Sequence, residues 1–187
     1  MVITVLIGPS GAGKSTLLAA TARRVPLTVL RTVTTRPRRP GEDDTTHRFV
    51  TPATFATLLA DGAFLGTHRQ YGHDYGLPLP TRPGPDGPDI PDAAVVTCLR
   101  AAVVERLRQR HPDLDVIALD APVEVLTARL TARGDHDRVD AASLRAEADA
   151  GRGLADLVLD ATEPVDRLAE RLAVRISASP ERTGRSR

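Results

Sequence analysis

The chain begins with an apolar run that leads directly into a glycine-rich turn. Residues 2–7 have the pattern of a buried strand, residues 8–15 read Gly-Pro-Ser-Gly-Ala-Gly-Lys-Ser, and a helical pattern follows at residues 15–24. The turn matches G-x-x-x-x-G-K-[ST] in full, and a strand before it with a helix after it is the context in which this motif cradles phosphates. A glycine-rich turn without a ligand is the alternative, which the combination of motif and flanks disfavours. The sequence therefore predicts a P-loop that holds the phosphates of a nucleoside triphosphate.

Each part of the predicted cradle has a physical task. Glycines let backbone N–H groups turn inward, and the following helix adds the positive end of its dipole. We expect Lys14 to reach the β- and γ-phosphates and the Ser15 hydroxyl to coordinate Mg²⁺. The expected cofactors are therefore ATP and Mg²⁺. The residues expected to bind the nucleotide are Gly8, Ser10, Gly11, Ala12, Gly13, Lys14, Ser15 and Thr16.

Composition sets Lys14 apart from the other basic residues. The 187-residue chain has 25 lysine and arginine residues, and Lys14 is the single lysine among them. Lysine is a compact, flexible charge and arginine a planar fork, so a retained lysine indicates a specific requirement. A net charge of +1 gives no overall field for nucleic acid or an acidic membrane. With one cysteine and a first apolar run too short for a membrane span and without a basic leader, we expect a cytoplasmic protein.

Short apolar runs alternate with longer helical patterns along the chain. This alternation predicts an α/β fold of the P-loop NTPase type, with a parallel sheet of about five strands and helices on both faces. We expect one domain over residues 1–176 and a disordered, basic tail over residues 177–187. The predicted strands are residues 2–7, 27–33, 93–98, 116–119 and 157–159, and the predicted helices are residues 15–24, 99–110, 123–132, 139–150 and 164–176.

Residues 34–92 break this rhythm. They lack long helical patterns and hold most of the proline, glycine, tyrosine and histidine of the chain. We expect an inserted lobe here, with residues 77–91 as an extended, proline-rich connector. Residues 34–42 read Thr-Thr-Arg-Pro-Arg-Arg-Pro-Gly-Glu, a rigid cationic loop whose arginine forks suit phosphate oxygens. A solvated basic loop fixed by its prolines is the alternative.

Several other polar residues have two possible roles. Asp120, at the end of a predicted strand, could assist Mg²⁺ through water or only serve the entry into the next helix. His68 and His73 could contact an acceptor or lie on the surface, because no cysteine or carboxylate set accompanies them at zinc spacing. Tyr75 could donate to a phosphate or cap the core of the lobe. Cys98 has the character of a small buried hydrophobe.

Three motifs occur in order along the chain: the cradle, the Thr-Thr-Arg…Arg-x-Gly-Glu loop, and a Phe…Gly-x-x-Tyr-Gly segment. In these motifs the chain resembles the guanylate kinase group of P-loop kinases, and a weaker resemblance continues to about residue 176. The resemblance implies that residues 34–92 form an acceptor-binding lobe. It also implies that Arg36, Arg39 and Tyr75 hold the phosphate of a small phosphorylated acceptor.

The same resemblance implies a lid over residues 133–150. Arg133 and a second arginine, Arg138 or Arg145, would close over ATP in this group. Phosphoryl transfer depends on positioning and charge neutralisation, and no catalytic base is needed when a phosphate oxygen attacks. Lys14, Arg133 and Arg138 are therefore the residues expected to stabilise the transferring group.

The chain departs from the guanylate kinase pattern at four places. Gly66 stands where a glutamate reads the guanine edge, His47 where a tyrosine binds phosphate, and Leu77 where a serine or threonine follows Tyr-Gly. Residues 96–99 read Val-Thr-Cys-Leu in place of Asp-x-Asp. Without these hydrogen-bonding partners a guanine base loses its specific recognition, so we expect an acceptor other than GMP.

A sister branch, the ribose 1,5-bisphosphate phosphokinases, is similar to the chain at these positions. The similarity lies in His47 eight residues before Phe55, in the segment Tyr-Gly-Leu-Pro at residues 75–78, and in Arg100-Ala101. It implies a sugar phosphate as acceptor, with His47 and Arg100 as further acceptor contacts. The alternatives are a guanylate kinase and a non-catalytic interaction module of the same fold. Intact Lys14 and Ser15 argue against the module.

Overall fold

Two β-sheets organise the part of the chain that the computed structural model describes, which is residues 3–39, 42, 44, 46–70, 72–79, 94–98, 101–109, 112–136 and 140–178. The strands are β1 (Ile3–Ile7), β2 (Leu27–Val29), β3 (Thr32–Thr34), β4 (His47–Phe49), β5 (Phe64–Gln70), β6 (His73–Pro78), β7 (Ala94–Cys98), β8 (Asp115–Asp120) and β9 (Leu157–Asp160). The helices are α1 (Lys14–Ala22), α2 (Pro52–Ala60), α3 (Ala101–Arg108), α4 (Val123–Ala132), α5 (Ala141–Leu154) and α6 (Val165–Ala178).

The first sheet has the order β2-β7-β1-β8-β9, and all its neighbouring strands are parallel. The predicted five-stranded parallel sheet is therefore confirmed. β1 lies at its centre, so the turn that follows β1 opens at the carboxyl edge of the sheet. In open α/β sheets this edge is where ligands bind.

Side chains of β1 and β8 alternate between two apolar cores, one on each face of the sheet. Leu6 and Ile117 point into a core with α1, α4 and α6, whereas Val5 and Val116 point into a core with α3. All four side chains are fully buried. Strands buried on both faces are what a parallel sheet covered by helices requires.

The predicted strand over residues 27–33 is two strands in different sheets, so that prediction was wrong. β2 pairs with β7 in the first sheet, and β3 pairs with β4 and β6 in the second. Between them, Leu30 is buried in the core beside α3 while Arg31 is exposed. Arg31 is the one charged residue of this stretch and stands between the two strands, but a single charge does not show that the following strand joins another sheet.

The second sheet has the order β4-β3-β6-β5 and mixes parallel with antiparallel pairs. It begins at Thr32, two residues before the predicted start of the lobe, and it carries helix α2, which the sequence analysis missed. Pro52 at the start of α2 and the Thr51 hydroxyl, which accepts a hydrogen bond from the Thr54 N–H, fix its N-terminus. Phe55 of α2 stacks on Phe64 of β5 with 4.9 Å between ring centroids.

Helix boundaries differ from the predictions mainly at carboxyl ends. α4 has the predicted bounds, α5 continues to Leu154, and α6 continues to Ala178, so residues 177 and 178 are helical and not part of a disordered tail. Most of the predicted proline-rich connector, residues 80–91, and the rest of the tail lie outside the described residues. Within the described part of the chain, no helix has the length and apolar character to cross a membrane.

Candidate active site

Close packing against β8 requires the first glycine of the cradle. Gly8 has a φ of 142°, and a Cβ at this position would lie 2.4 Å from the carbonyl oxygen of Leu119. A side chain would meet immovable backbone there, and L-residues rarely adopt this φ. The loop is thus pressed onto the carboxyl end of β8.

The other two glycines are required for different reasons. A Cβ at Gly11, whose φ is 83°, would lie 3.1 Å from the carbonyl oxygen of Leu126 in α4. Gly13 has a φ of 92° and precedes α1 in the left-handed conformation, yet a Cβ there meets no described atom within 4 Å. Glycine is therefore required at position 11 by both close packing and the positive φ, and at position 13 by the positive φ alone.

Arg129 of α4 holds the rear of the cradle, a role that the sequence analysis missed. Its Nη2 donates to the carbonyl oxygen of Ala161 at 2.8 Å, and its Nη1 lies 3.4 Å from that of Gly11. The arginine thereby joins the cradle to the turn after β9. Arg129 lies one helical turn before Arg133, the residue that follows α4. This spacing places the two arginines on the same side of the helix, and it is the signal that could have indicated a role for Arg129.

The N-terminus of α1 is open to an anion. Among the described residues no side chain caps it, and its first turn holds no acidic residue. Ser15 and Thr16 are exposed at this end. Helix N-terminal N–H groups without an internal partner attract phosphate oxygens, so the predicted phosphate-binding residues form a fitting donor set.

Lys14 lies across the loop to which it belongs. Its Nζ donates to the carbonyl oxygen of Gly8 at 2.6 Å and to that of Pro9 at 3.1 Å. The side chain is half-buried. The ammonium is therefore already held over the cradle by its own loop, close to where the predicted phosphates would lie.

Arg36 forms a buried ion pair within the cationic loop. Its Nη1 and Nη2 donate to Oε2 and Oε1 of Glu42 at 2.9 and 2.6 Å. The Arg36 side chain is 8% exposed and the Glu42 side chain 21%. Burial acts to raise the pKa of Glu42, but the hydrogen bonds from Arg36 and from the Arg39 N–H, with the Arg36 charge, outweigh it and leave the pKa below its ordinary value. The charge of Arg36 is thus compensated by Glu42 within the loop.

The ring of Phe49 in β4 packs against two arginines of the loop. The guanidinium carbons of Arg36 and Arg38 lie 5.2 and 4.8 Å from the centroid of its ring, within the range of a cation–π contact. Arg38 also pairs with Asp44 at 2.5 Å, with both side chains about half exposed. The arginines of the loop are therefore fixed in direction before any ligand arrives.

His47, at the start of β4, lies beside the cationic loop. Its Nδ1 lies 2.9 Å from the Thr46 hydroxyl and 4.0 Å from Oε1 of Glu42. Burial and then the charge of Arg36 lower its pKa, Glu42 acts in the opposite direction, and Arg39 and Lys14 add to the lowering. The ring is thus next to the Arg36–Glu42 ion pair of the loop.

Asp135 links two arginines that the sequence analysis assigned to different parts of the site. Its Oδ2 accepts from Arg133 Nη2 at 2.9 Å, and its Oδ1 lies 4.0 Å from Arg39 Nε. Gly134, with a φ of 73°, ends α4, and the Asp135 N–H donates to the Leu130 carbonyl. This C-terminal turn fixes the direction of the carboxylate. Asp135 was missed because Arg39, one of its two partners, is distant in the sequence.

The two threonines before Arg36 join β3 to β6 by side-chain bonds. The Thr34 hydroxyl donates to the Asp74 carbonyl at 3.0 Å, and the Asp74 N–H donates to the Thr35 hydroxyl at 2.9 Å. Next to this junction Tyr75 is buried and its ring stacks on His68 with 5.0 Å between centroids. Tyr75 thus packs in the sheet, as one of its two predicted roles requires, and His68 is its stacking partner.

Asp120 is engaged by α5 and not by the cradle. Its Oδ2 accepts from Arg152 Nη1 at 2.6 Å, while its Oδ1 is buried without a hydrogen-bond partner among the described residues. The N-terminus of α4 has no side-chain cap from the described residues either. Among the described residues, no three His, Cys, Asp or Glu side chains lie close enough together to hold a metal ion, so His73 belongs to no such group.

Arg100 and Arg138, predicted to contact the acceptor and ATP, lie outside the described residues, as does Leu99.

Gly66 faces a cavity with a mixed lining rather than a carboxylate. A Cβ at this position would lie 3.5 Å from Cδ2 of Leu107, which is ordinary contact. The cavity of about 400 Å³ beside it is lined by apolar side chains and by Thr67, Arg106 and Gln109, and its described lining contains no acidic side chain. No carboxylate in this lining replaces the glutamate that reads guanine in the resemblance.

The fold and the cradle together define a P-loop phosphotransferase. No family model matches the chain. A ribose 1,5-bisphosphate phosphokinase of Pseudomonas fluorescens is 36% identical over 178 residues, which are 89% of this chain and 90% of that protein. A guanylate kinase of Frankia casuarinae is also 36% identical, over 137 residues that are 72% of this chain and 73% of that protein. The crystal structure of guanylate kinase from Anaplasma phagocytophilum has the same fold, with a TM-score of 0.67, 23% identity, and coverage of 95% of this chain and 85% of that one.

The chain belongs to the guanylate kinase-like family of P-loop kinases, which includes the ribose 1,5-bisphosphate phosphokinases, and it is an ATP-dependent kinase. The predicted α/β fold and the stated resemblance are thereby confirmed. The two sequence relatives are equally identical, and the ribose 1,5-bisphosphate phosphokinase is matched over the larger share of both chains.

Proposed function

We propose that the chain transfers the γ-phosphoryl group of ATP to a phosphate oxygen of ribose 1,5-bisphosphate. The observation that carries the proposal is the set of contacts that runs from the cradle to the cationic loop. Arg129 of α4 lies 3.4 Å from the Gly11 carbonyl oxygen, and Asp135, just after α4, accepts from Arg133 and lies 4.0 Å from Arg39 of the loop. In this proposal, a phosphorylated acceptor held by the loop is therefore close to the phosphates of ATP. The extent of the similarity to a ribose 1,5-bisphosphate phosphokinase supports the sugar phosphate.

On the donor side, the open N-terminus of α1 and the Lys14 ammonium hold the phosphates of ATP. The exposed Ser15 hydroxyl is the Mg²⁺ ligand in this proposal, and its place in the first turn of α1 fits that role. When bound, Mg²⁺ neutralises charge that develops on the β- and γ-phosphate oxygens. Lys14 exchanges its bonds to two loop carbonyls for bonds to phosphate.

On the acceptor side, Arg36 and Arg39 orient the attacking phosphate, and His47 and Arg100 contact the same molecule. An acceptor phosphate oxygen forms the new bond to the γ-phosphorus while the bond from that phosphorus to the bridging oxygen breaks, and ADP leaves with the electron pair. Arg133 and Arg138, in a lid over residues 133–150, stabilise the transferring group and exclude water. Tyr75 keeps a supporting role, since its ring is buried.

GMP is the second candidate acceptor, favoured by the similarity to the Frankia guanylate kinase. The surroundings of Gly66 argue against it. A glutamate accepts from both the N1–H and the amino group of guanine, and the described cavity beside Gly66 contains no carboxylate, with Thr67, Arg106 and Gln109 as its polar side chains. A sugar phosphate makes no such demand.

The test is an ADP-release assay with ATP, Mg²⁺ and a panel of acceptors: ribose 1,5-bisphosphate, GMP, other nucleoside monophosphates and other sugar phosphates. We expect the highest kcat/KM with ribose 1,5-bisphosphate, no transfer after Mg²⁺ chelation, and no transfer by Lys14→Ala at an unchanged unfolding temperature. A higher kcat/KM with GMP would make the chain a guanylate kinase. Calorimetric ATP binding without ADP release for any acceptor would make it a non-catalytic module. The proposed setting is cytoplasmic, with small molecules and neither nucleic acid nor membrane as partners.

A further inference from the structure

His47 lies beside the cationic loop, on the acceptor side of the proposed site. It begins β4, whose partner strand β3 leads into the cationic loop. Its ring is 25% exposed and stacks on Phe49 with 6.0 Å between centroids. Its Nδ1 is bonded to the Thr46 hydroxyl. The ring is thus fixed in one orientation by a neighbour on each side.

The ring belongs to a cluster of charged groups in the loop. Oε1 of Glu42 lies 4.0 Å from Nδ1 of the ring and accepts from Arg36 Nη2 at 2.6 Å, and Oε2 of Glu42 accepts from the Arg39 N–H at 3.1 Å. Burial lowers the pKa of the ring most, the charge of Arg36 lowers it further, Glu42 raises it, and Arg39 and Lys14 add to the lowering. Glu42 is itself committed to Arg36 through two hydrogen bonds. A half-buried imidazole in these surroundings favours its neutral form, because a proton on it would add a further positive charge to the group.

We propose that His47 is neutral in the free protein and takes up a proton as the phosphate of the acceptor binds, so that acceptor binding and protonation are one coupled event. This rests on the proposed function only in requiring that an acceptor phosphate binds beside Arg36 and Arg39. The proton comes from solvent. The ring, which has one N–H when neutral, then has an N–H on both nitrogens and places a positive charge beside the bound phosphate.

The size of the effect follows from the charge that arrives. An opposite charge within about 4–6 Å raises the pKa of a cation by roughly 1–3 units. The pKa of His47, lowered in the free protein, therefore rises toward or above its ordinary value when a dianion binds. Between the two pKa values, binding takes up a proton, and affinity for the anion increases as pH falls. Above both values the affinity no longer depends on this group.

Sulfate is the best probe, because it is a dianion of phosphate shape that does not titrate between pH 5.5 and 8, so every proton taken up belongs to the protein. Isothermal titration of sulfate into the full chain, in two buffers of different ionisation enthalpy at pH 6.5, counts that proton. We expect an uptake of several tenths of a proton for the wild type and for the control His73→Gln, and none for His47→Gln. In parallel, the imidazole NMR signal of His47 in the wild-type chain should titrate at higher pH with sulfate than without.

Each result decides the matter. No proton uptake by the wild type, equal uptake by His47→Gln, an unmoved NMR titration of His47, or no sulfate binding at all would each overturn the proposal. The NMR measurement needs no variant, so a poorly folded His47→Gln does not block the test. Failure of the chain to use ribose 1,5-bisphosphate is seen separately in the ADP-release assay, and it leaves a positive sulfate result standing.

Discussion

The cationic loop contains two ion pairs of the same spacing and opposite burial, and they allow a matched test. Arg36 pairs with Glu42 and Arg38 pairs with Asp44, each six residues apart. The first pair is 8% and 21% exposed, the second 46% and 54%. Neutralising the acid of each pair, Glu42→Gln and Asp44→Asn, changes the same kind of interaction in one loop, with burial as the main variable.

The expected magnitudes differ by several-fold. Breaking a buried pair costs about 3–5 kcal/mol, because the remaining charge is left buried without compensation. Since Glu42 keeps some contact with solvent, we expect Glu42→Gln to lower the free energy of unfolding by about 2–4 kcal/mol, which is roughly 4–16 °C in Tm for a chain of this size. Asp44→Asn breaks an exposed pair, for which about 0–1 kcal/mol is the usual range.

The assay is urea unfolding followed by circular dichroism, with and without sulfate. Sulfate should restore part of the loss in Glu42→Gln, because it offers Arg36 a new anion, and should do less for the wild type. Equal losses for the two variants, or a loss below 1 kcal/mol for Glu42→Gln, would show that burial of this pair does not govern the stability of the loop. The reasoning would then be refuted.

Four further predictions concern the cradle and its neighbours. Gly8→Ala should destabilise the fold by about 2–5 kcal/mol through strain and a clash with fixed backbone, and Gly13→Ala by only about 1–2 through strain, as measured by urea unfolding. Lys14→Arg should lower kcat in the ADP-release assay by 100-fold or more, because the bulky fork does not fit where Nζ lies 2.6 Å from a loop carbonyl, while Tm stays unchanged. Asp135→Asn should bind sulfate more tightly than the wild type in calorimetry, because a competing carboxylate is removed. Since the pKa of His47 is lowered in the folded chain, its contribution to the free energy of unfolding should be complete above pH 6.5 and fall as pH drops below that value, and His47→Gln should flatten this slope in urea midpoints.

Local features of the site were predictable from the sequence. The cradle occupies eight consecutive residues whose spacing is set by the phosphates they surround, so a single stretch of sequence indicates it. The resemblance also assigns Arg36, Arg39 and His47 to the acceptor side, and this assignment stays a prediction. It could not show why Gly8 and Gly11 are required, because the backbone they approach belongs to Leu119 and Leu126, more than a hundred residues away.

Long-range features escaped prediction for a common reason. The pair of Arg39 with Asp135 depends on where the chain that follows α4 lies relative to the cationic loop. The hydrophobic pattern of the sequence does not predict this arrangement. The division of residues 27–34 between two sheets depends on the partners of β2 and β3, which are distant in the sequence. Helix α2 is short and its pattern is weakly amphipathic, so a proline- and glycine-rich context hid it.

The ion pairs of the site change how its positive charge should be understood. Arg36 is compensated by Glu42, Arg39 and Arg133 share Asp135, and the Lys14 ammonium is bonded to loop carbonyls. Under the proposed function, binding of a phosphorylated substrate is an exchange of partners, in which phosphate oxygens replace carboxylates and carbonyls that already hold the cations in place. The net affinity is then the difference between two sets of contacts, and the existing contacts keep the arginines oriented without a bare cationic surface. The same proposal accounts for the binding of highly charged phosphates by a chain with a net charge of only +1, because it gathers the cations at one place and adds the charge of a protonated His47 when the substrate binds.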